Sequence, residues 1–325
     1  MTYDVICLRP ELDFLSVGVT PPQELNIAYR APSDDDVGPL CREAIVMLVP
    51  AAGPPLPPSL FDGTRLQLVQ FTGAGVDRVN EAQMKALHIA VANVPGGSNS
   101  AMAEYTVVNA LNLMRRFSWA DKKIKAGHYI TSRQWMVKQN LPGLEGKQVG
   151  IIGLGVIGQN VAASFKRFGA HIIYTDNLDR SAVANALGAR AVSLQELLRE
   201  SDVISVHVPL IDETRGLIGT REFGLMKPGA IIIQASRGAV VNEKALAESL
   251  QSGHLGGAAV DVFEEEPLPA QSPLLHLPEE HADRLLLTPH IAGITLQSFQ
   301  TLFKSSWDNA LRVIKGHQPP LHRIY

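Results

Sequence analysis

Three short segments in the second half of the chain place polar side chains directly after apolar runs. They are Gln234-Ala-Ser-Arg-Gly238, Asp261-Val-Phe-Glu-Glu-Glu-Pro267 and Leu287-Thr-Pro-His-Ile-Ala-Gly293. The arginine of the first segment could hold a substrate carboxylate through two parallel hydrogen bonds and polarise a neighbouring carbonyl. The histidine of the third is a natural acid/base near neutral pH, and a carboxylate beside it would favour the imidazolium and fix the tautomer. These groups suit the reduction of a carbonyl by hydride, which needs a carboxylate clamp, a proton donor and a carboxylate that stabilises the donor.

A glycine-rich segment, Gly153-Leu-Gly-Val-Ile-Gly158, follows another apolar run and opens a helical stretch. Gly153 would permit a tight turn, Gly155 would let the backbone approach a pyrophosphate, and Gly158 would let the helix pack closely on the strand. Asp176 ends the next apolar run, where a carboxylate can accept hydrogen bonds from ribose hydroxyls and repel a 2′-phosphate. The arrangement predicts a dinucleotide site that prefers NAD to NADP.

The elements that must position these groups are strands of a parallel sheet. From about residue 145 onwards, short apolar runs alternate with stretches of helical spacing, such as Gln159–Phe168 and Lys244–Ser252. This order predicts a doubly wound α/β domain, in which the carboxyl ends of the strands share one edge of the sheet. The predicted strands are Val149–Gly153, His171–Thr175, Val203–His207, Ala230–Gln234, Gly257–Val260 and Leu285–Thr288.

The first hundred residues predict a smaller α/β unit. Its candidate strands are Val5–Leu8, Ala44–Leu48 and Leu66–Val69, and a Pro-rich surface loop is predicted over Pro50–Pro58. Two long helices are predicted over Ala101–Phe117 and Thr295–Gly316. A length of 325 residues suits two domains.

Composition narrows the class of protein. With 29 basic and 32 acidic residues the formal net charge is −3, and no basic run indicates nucleic acid or an anionic membrane as a partner. The first residues lack the basic region of a signal peptide, and no apolar run is long enough to span a bilayer. Two isolated cysteines, Cys7 and Cys41, predict reduced thiols in a cytoplasmic protein and no metal cluster.

Over roughly residues 66 to 316 the sequence resembles the D-isomer-specific 2-hydroxyacid dehydrogenases, the family of D-glycerate, glyoxylate/hydroxypyruvate and D-3-phosphoglycerate dehydrogenases. The resemblance implies that Arg237 binds and polarises the substrate and that His290 is the acid/base. It implies that Glu266, directly before the proline, supports His290. Asp261 would contact the nicotinamide amide. Gln234 departs from the family, in which asparagine is common at this position.

The resemblance also implies further contacts. Phe71-Thr-Gly-Ala-Gly-Val-Asp77 resembles the family's substrate loop, in which the backbone amides of Gly73, Ala74 and Gly75 would hold the substrate carboxylate. The residues implied at the NAD cofactor, besides the three glycines and Asp176, are Thr106, Val156, Ile157, His207, Pro209, Thr214, Ala235, Ser236, Arg237, Asp261, His290, Ala292 and Gly293.

The fold implied by the resemblance has two domains, each a doubly wound parallel sheet. A flavodoxin-like substrate domain, residues 1–100 with 295–325, would be interrupted by a Rossmann NAD-binding domain, residues 101–294. The expected protein is a homodimer, with Trp135 in the segment that reaches the neighbouring subunit in several family members. The expected activity is NADH-dependent interconversion of a small 2-oxo acid, such as glyoxylate or hydroxypyruvate, and its D-2-hydroxy acid. A larger or phosphorylated acid, or an NAD-sensing corepressor-like module, remains the alternative.

Overall fold

The computed structural model describes residues 2–325, and the chain divides into two compact units. One unit comprises the chain up to Ser98 together with Ile294–Tyr325, so both ends of the chain build it. The other unit is the continuous stretch Asn99–Gly293. No helix in the described part of the chain is long and apolar enough to cross a membrane.

The first unit contains a sheet of five parallel strands in the order β2-β1-β3-β4-β5. This is the flavodoxin-like doubly wound order. Its strands are β1 (Val5–Cys7), β2 (Ile27–Tyr29), β3 (Val46–Val49), β4 (Leu68–Phe71) and β5 (Ala90–Ala92). Its helices before residue 99 are α1 (Glu11–Ser16), α2 (Val37–Cys41) and α3 (Glu81–Ala86), with a 3₁₀ turn at Pro58–Phe61.

The second unit is a seven-stranded parallel sheet with the order β12-β11-β10-β9-β6-β7-β8. Its strands are β6 (Gln148–Ile152), β7 (His171–Thr175), β8 (Arg190–Ala191), β9 (Val203–Val206), β10 (Ile231–Gln234), β11 (Gly257–Val260) and β12 (Leu285–Leu287). Its helices are α4 (Asn99–Arg115), α5 (Phe117–Lys125), α6 (Tyr129–Gln139), α7 (Val156–Arg167), α8 (Ser181–Leu187), α9 (Leu194–Glu200), α10 (Thr220–Leu225), α11 (Glu243–Gln251) and α12 (Glu279–Ala282).

This order is the Rossmann topology, in which the chain runs outwards in both directions from the first strand, β6. The central strands β9, β10 and β11 are buried along their whole length because helices cover both faces of the sheet. The predicted fold class is thereby confirmed for both units. The reversal of strand order between β6 and β9 is where such sheets bind ligands, outside the carboxyl ends of the strands.

The last helix, α13 (Leu296–Ile314), returns to the first unit and packs on its sheet. Thr295 caps this helix by accepting a hydrogen bond from the Ser298 amide. Phe303 and Trp307 of α13 pack against Phe14 of α1, with ring centroids 4.6 and 5.1 Å apart. The prediction of this helix is confirmed to within two residues at either end.

The predicted helix Ala101–Phe117 is wrong at its end. The helix α4 stops at Arg115, and Arg116 adopts a left-handed conformation with φ of 55° before α5 starts at Phe117. The guanidinium of Arg116 turns towards the carbonyl of Asp283, to which it donates a hydrogen bond of 3.4 Å. Because this segment contains neither glycine nor proline, nothing in the local pattern signals the break.

Candidate active site

The three glycines after β6 have different physical reasons to be glycine. Gly153 has a φ of +91°, and a Cβ there would lie 2.7 Å from the carbonyl oxygen of His207. A Cβ at Gly158 would overlap the carbonyl of Gly153, so its absence lets α7 approach β6. A Cβ at Gly155 would meet no atom within 4 Å. The protein's own packing therefore requires the first and third glycines, and only an incoming group would require the second.

That open space lies at the beginning of α7, for which Gly155 is the N-cap and Val156 and Ile157 are the first helical residues. The first amides of a helix have no partners within the helix, and they carry the positive end of its dipole. An anion beside Gly155 would be bound by these groups. The cradle thus fits the pyrophosphate of a dinucleotide.

Asp176 follows β7, and its carboxylate is almost fully buried, with 6% exposed. It accepts hydrogen bonds from the amides of Leu154 at 2.8 Å and Leu178 at 2.9 Å, and it pairs with Arg180 Nε at 3.2 Å. The carboxylate therefore braces the glycine loop from the neighbouring strand. The sequence pattern did not reveal this bracing or the pairing with Arg180, and the contact with ribose stays a prediction.

His290 and Glu266, for which an acid/base pair is predicted, lie in direct contact. The distance from His290 Nδ1 to Glu266 Oε2 is 2.8 Å, and both side chains are about three-quarters buried. Burial acts to raise the pKa of Glu266, but the hydrogen bond and charge of His290, the amide of Phe263 and the charge of Arg237 together hold that pKa below its ordinary value. An ionised Glu266 accepts a hydrogen bond from the Nδ1–H of His290, which leaves Nε2 of His290 for chemistry.

The loop that carries His290 is fixed by Asp261. The buried carboxylate of Asp261 accepts hydrogen bonds from the amides of Ile291 and Ala292, both at 2.8 Å, and from the Thr288 hydroxyl at 2.6 Å. Burial raises the pKa of Asp261, and these three hydrogen bonds oppose that rise. Since a carboxylate offers about four acceptor positions, one remains on Oδ2 for the predicted nicotinamide amide.

Arg237 lies in a tight turn after β10, and Gln234 closes this turn. The Gln234 amide donates to the Arg237 carbonyl at 2.8 Å, and its oxygen accepts from the Ser236 hydroxyl at 2.9 Å. A Cβ at Gly238 would overlap the Phe263 carbonyl, so the turn lies directly against the segment that leads to Glu266. Glutamine in place of asparagine at position 234 therefore still closes the turn. Ala235 and Ser236 lie in the same turn, and both are buried.

The loop after β9 carries three predicted cofactor residues. The Thr214 hydroxyl donates to the Pro209 carbonyl at 2.6 Å and accepts from the Ile211 amide at 2.9 Å, so it shapes the loop. His207 Nε2 lies 2.7 Å from the Ser205 hydroxyl, and burial lowers the pKa of His207 to about 4. His207 is therefore neutral at physiological pH, so it offers a hydrogen bond rather than a charge.

Thr106 does not present its hydroxyl at the surface of the site. Its side chain is fully buried in α4, and the hydroxyl donates to the Met102 carbonyl one turn earlier at 2.7 Å. This is the usual way in which threonine is accommodated inside a helix. The contact of Thr106 with the cofactor, implied by the resemblance, stays a prediction.

The predicted substrate loop follows β4 in the first unit. The carbonyls of Gly73 and Ala74 accept hydrogen bonds from the Val94 amide at 2.9 Å and the Asn93 side chain at 2.6 Å. Within residues 2–325, the amides of Gly73, Ala74 and Gly75 donate to no other group. The loop therefore has fixed carbonyls and three available donors, which suits an anion such as a carboxylate.

In the same unit, an arginine that the sequence pattern did not single out binds the Pro-rich loop. The buried guanidinium of Arg78 donates to the carbonyls of Pro50, Ala52 and Pro54 at 2.8 to 3.2 Å. Burial lowers the pKa of Arg78. The predicted surface loop is thus exposed at most of its residues but anchored from beneath.

Comparison with known proteins decides the family. Residues 107–292, more than half of the chain, match the model of the family described as D-isomer specific 2-hydroxyacid dehydrogenase, NAD binding domain. The chain belongs to this family. A glyoxylate reductase from Aeropyrum pernix is 37% identical over 263 residues, which are 80% of this chain and 77% of the relative.

Two other relatives of the dehydrogenase show the range of the similarity. A D-3-phosphoglycerate dehydrogenase from Archaeoglobus fulgidus is 36% identical over 233 residues, 72% of this chain but 42% of that longer protein. The crystal structure of an NAD-dependent formate dehydrogenase from Staphylococcus aureus in complex with NAD has a TM-score of 0.81 at 25% identity, covering 99% of this chain and 98% of that one. The protein is accordingly an NAD-dependent oxidoreductase that interconverts 2-oxo acids and D-2-hydroxy acids.

Proposed function

We propose that this dehydrogenase uses NADH to reduce a small 2-oxo acid of the glyoxylate or hydroxypyruvate type, with His290 as the acid/base. The observation that carries the proposal is the 2.8 Å hydrogen bond between His290 Nδ1 and Glu266, which leaves Nε2 for the substrate oxygen. The similarity to a glyoxylate reductase over four-fifths of the chain supports a small 2-oxo acid as the substrate.

The cradle of Gly153, Gly155 and Gly158 would hold the cofactor, with NADH supplying the hydride for reduction and NAD accepting it in oxidation. In the direction of reduction, protonated His290 gives its Nε2 proton to the substrate oxygen, and the ionised Glu266 stabilises the charge that His290 must carry beforehand. Arg237 binds the substrate and polarises its carbonyl, because a guanidinium can hold two oxygens at once. Oxidation runs the same proton transfer backwards, and neutral His290 then accepts the proton.

The two units divide this work. We assign the NAD-binding role to Asn99–Gly293, which holds the glycine loop and the catalytic pair, and the substrate-domain role to the discontinuous unit. The amides of Gly73, Ala74 and Gly75 support that second role. They donate to no group in the described structure, and neutral N–H groups of this kind can bind a carboxylate.

We further propose that the protein is a cytoplasmic homodimer. The helices α5 and α6 expose a set of apolar side chains, and neither helix buries an apolar residue of its own. The exposed members are Phe117, Ile124, Tyr129, Ile130, Trp135 and Val137. Such a concentration on two adjacent helices is typical of an interface. The cysteines Cys7 and Cys41 are both free and buried, which supports a reducing compartment.

A panel of substrates tests the activity. Glyoxylate, hydroxypyruvate, phosphohydroxypyruvate and a larger 2-oxo acid are assayed with NADH and with NADPH, following the loss of the reduced cofactor. The proposal expects the highest kcat/KM with glyoxylate or hydroxypyruvate and NADH. His290→Gln should lower kcat roughly 10²–10⁴-fold with little change in NADH affinity.

Three outcomes would contradict the proposal. A preference for phosphohydroxypyruvate would favour the phosphorylated substrate class. Negligible turnover of every acid, with NADH still bound, would favour a sensing module. A His290→Gln variant with normal turnover would remove His290 from its role.

A further inference from the structure

A chain of two hydroxyl groups leads away from the catalytic loop into α4. The hydroxyl oxygens of Tyr105 and Thr288 are 2.7 Å apart, and the Thr288 hydroxyl is 2.6 Å from Asp261 Oδ1. An ionised Asp261 only accepts hydrogen bonds, so Thr288 must donate its single proton to Asp261. Tyr105 must therefore donate to Thr288. Burial raises the pKa of Tyr105 to about 12, so this proton stays in place at physiological pH.

The chain ends on the group that determines the backbone around His290. Asp261 holds the amides of Ile291 and Ala292 through its carboxylate, and its own carbonyl accepts the His290 amide at 2.9 Å. His290 itself has a φ of +55°, in the left-handed region that residues with a side chain rarely adopt. Such a conformation persists only where surrounding contacts enforce it. The contacts on Asp261 therefore decide where the imidazole lies.

The hydroxyl chain also adds a support that the sheet alone does not give. Thr288 and His290 follow the edge strand β12, which within residues 2–325 pairs with β11 alone. Tyr105 comes from α4, a seventeen-residue helix that packs against α7 and the central strand β10. The bond from Tyr105 to Thr288 thus connects the edge of the sheet to a long helix in the core.

We propose that Tyr105 and Thr288 are positioning residues for His290. Their hydroxyls orient the Asp261 carboxylate, and Asp261 in turn fixes the left-handed backbone that aims the imidazole at the substrate oxygen. Neither residue touches the reacting atoms in this role. The inference rests on the proposed role of His290 as acid/base.

Two substitutions at position 288 separate the hydroxyl from the packing. Thr288→Val keeps the shape of the side chain and removes the hydroxyl, whereas Thr288→Ser keeps the hydroxyl and removes a methyl group. Thr288→Val should lower kcat by about tenfold or more, while Thr288→Ser stays within about threefold of the wild type. The dissociation constant for NADH, measured by fluorescence, should change by less than about threefold in both variants.

Tyr105→Phe should lower kcat by about three- to tenfold in the wild-type background. In the Thr288→Val background it should lower kcat by less than about twofold, because the hydrogen bond between Tyr105 and Thr288 is already absent there. The solvent deuterium isotope effect on kcat should rise in Thr288→Val, since a misplaced imidazole makes proton transfer more limiting.

Tyr29→Phe is the matched control, because the buried Tyr29 hydroxyl has no hydrogen-bond partner in the described structure. It should leave kcat unchanged.

Equal kcat in Thr288→Val and Thr288→Ser would overturn the inference. So would a lower melting temperature in Tyr105→Phe and Thr288→Val with kcat and the isotope effect unchanged, which would show a purely structural role. His290→Gln distinguishes this failure from a failure of the proposed function. If that variant is inactive while Thr288→Val is fully active, the positioning role is wrong and the acid/base role stands. If His290→Gln is itself active, the acid/base role is wrong.

Discussion

Asp176 has two tasks at the residue scale, because the carboxylate predicted to select the cofactor also braces the glycine loop through the Leu154 amide. Asp176→Ser removes both the brace and the negative charge that opposes a 2′-phosphate, and it releases Arg180. We expect the preference for NADH over NADPH to narrow by at least about tenfold, or about 1.4 kcal/mol. The measurement is kcat/KM for both cofactors.

The control for this substitution is Asp179→Ser in the same loop. Asp179 accepts a hydrogen bond from the Ser181 amide, and within the described residues no hydrogen bond or ion pair joins it to the glycine loop. It should leave the cofactor preference within about twofold of the wild type. An equal change in the two variants would mean that only the net charge of the loop matters, and the selective role of Asp176 would be lost.

The second prediction at this scale concerns pH. The lowered pKa of Glu266 means that its carboxylate is ionised at neutral and mildly acidic pH, and that its stabilising interaction with His290 is lost only as pH falls through that lowered pKa. Glu266→Gln removes the charge that favours the imidazolium. Reduction needs protonated His290, so its rate should begin to decline at a lower pH than in the wild type. The rate of oxidation should likewise reach its plateau at a lower pH.

A pair of pH–rate profiles checks the prediction, with Glu265→Gln as a control of identical charge change one residue away. The control should reproduce the wild-type profile. A midpoint that is the same in Glu266→Gln and the wild type would disprove the functional pairing of Glu266 with His290.

Arg237 gives the third prediction. Lysine keeps the positive charge but cannot form the two parallel bonds of a guanidinium, so Arg237→Lys should lower kcat/KM by about tenfold or more, about 1.4 kcal/mol. The loss should appear both in KM for the 2-oxo acid and in kcat. A lysine variant with wild-type values of both constants would remove Arg237 from the substrate site.

At the scale of elements, the junction of β6 and α7 allows the fold and the ligand to be tested separately. Gly155 has an ordinary φ of −71° and open space where a Cβ would lie, so Gly155→Val should fold with an unchanged melting temperature. The added side chain would occupy the cradle, so NADH affinity should fall by about tenfold or more. Gly158→Ala should instead lose about 1–3 kcal/mol of stability, because its Cβ would overlap the Gly153 carbonyl.

Thermal unfolding and NADH titration of the two variants give the answer together. A Gly155→Val variant that binds NADH as tightly as the wild type would show that the open space is not the pyrophosphate cradle.

These elements also show what local sequence can predict. Long apolar runs and the glycine motif identified β6, β7 and β9 to β12, because strands buried on both faces need uninterrupted apolar residues. The edge strands β2, β5 and β8, of two or three residues each, were not predicted. At the break, Arg116 donates a hydrogen bond to the distant Asp283, a contact that a local pattern cannot show.

The candidate site divides in the same way. The types and strand-end positions of Arg237 and His290 pointed to the chemistry, and the family resemblance singled out Glu266 among three consecutive acids. The supports of the site were missed. The contacts of Asp261 with Thr288 and of Thr288 with Tyr105 join residues more than twenty and more than one hundred positions apart. Such contacts follow from strand order and helix packing, and a single sequence does not reveal them.

At the scale of the whole molecule, the exposed apolar face of α5 and α6 predicts a dimer. Charged side chains placed on this face should dissociate the dimer. The side chains of Ile130 and Val137 are 63% and 62% exposed, so replacing both with aspartate costs the isolated chain little and places two charges in the proposed interface. Ile130→Asp with Val137→Asp should convert a dimeric wild type into a monomer with an unchanged circular dichroism spectrum. Leu12→Asp on α1, where the side chain is 71% exposed, is the matched control and should stay dimeric. Sedimentation equilibrium at micromolar concentration measures all three proteins. A monomeric wild type, or a double variant that stays dimeric, would contradict the assignment of this face.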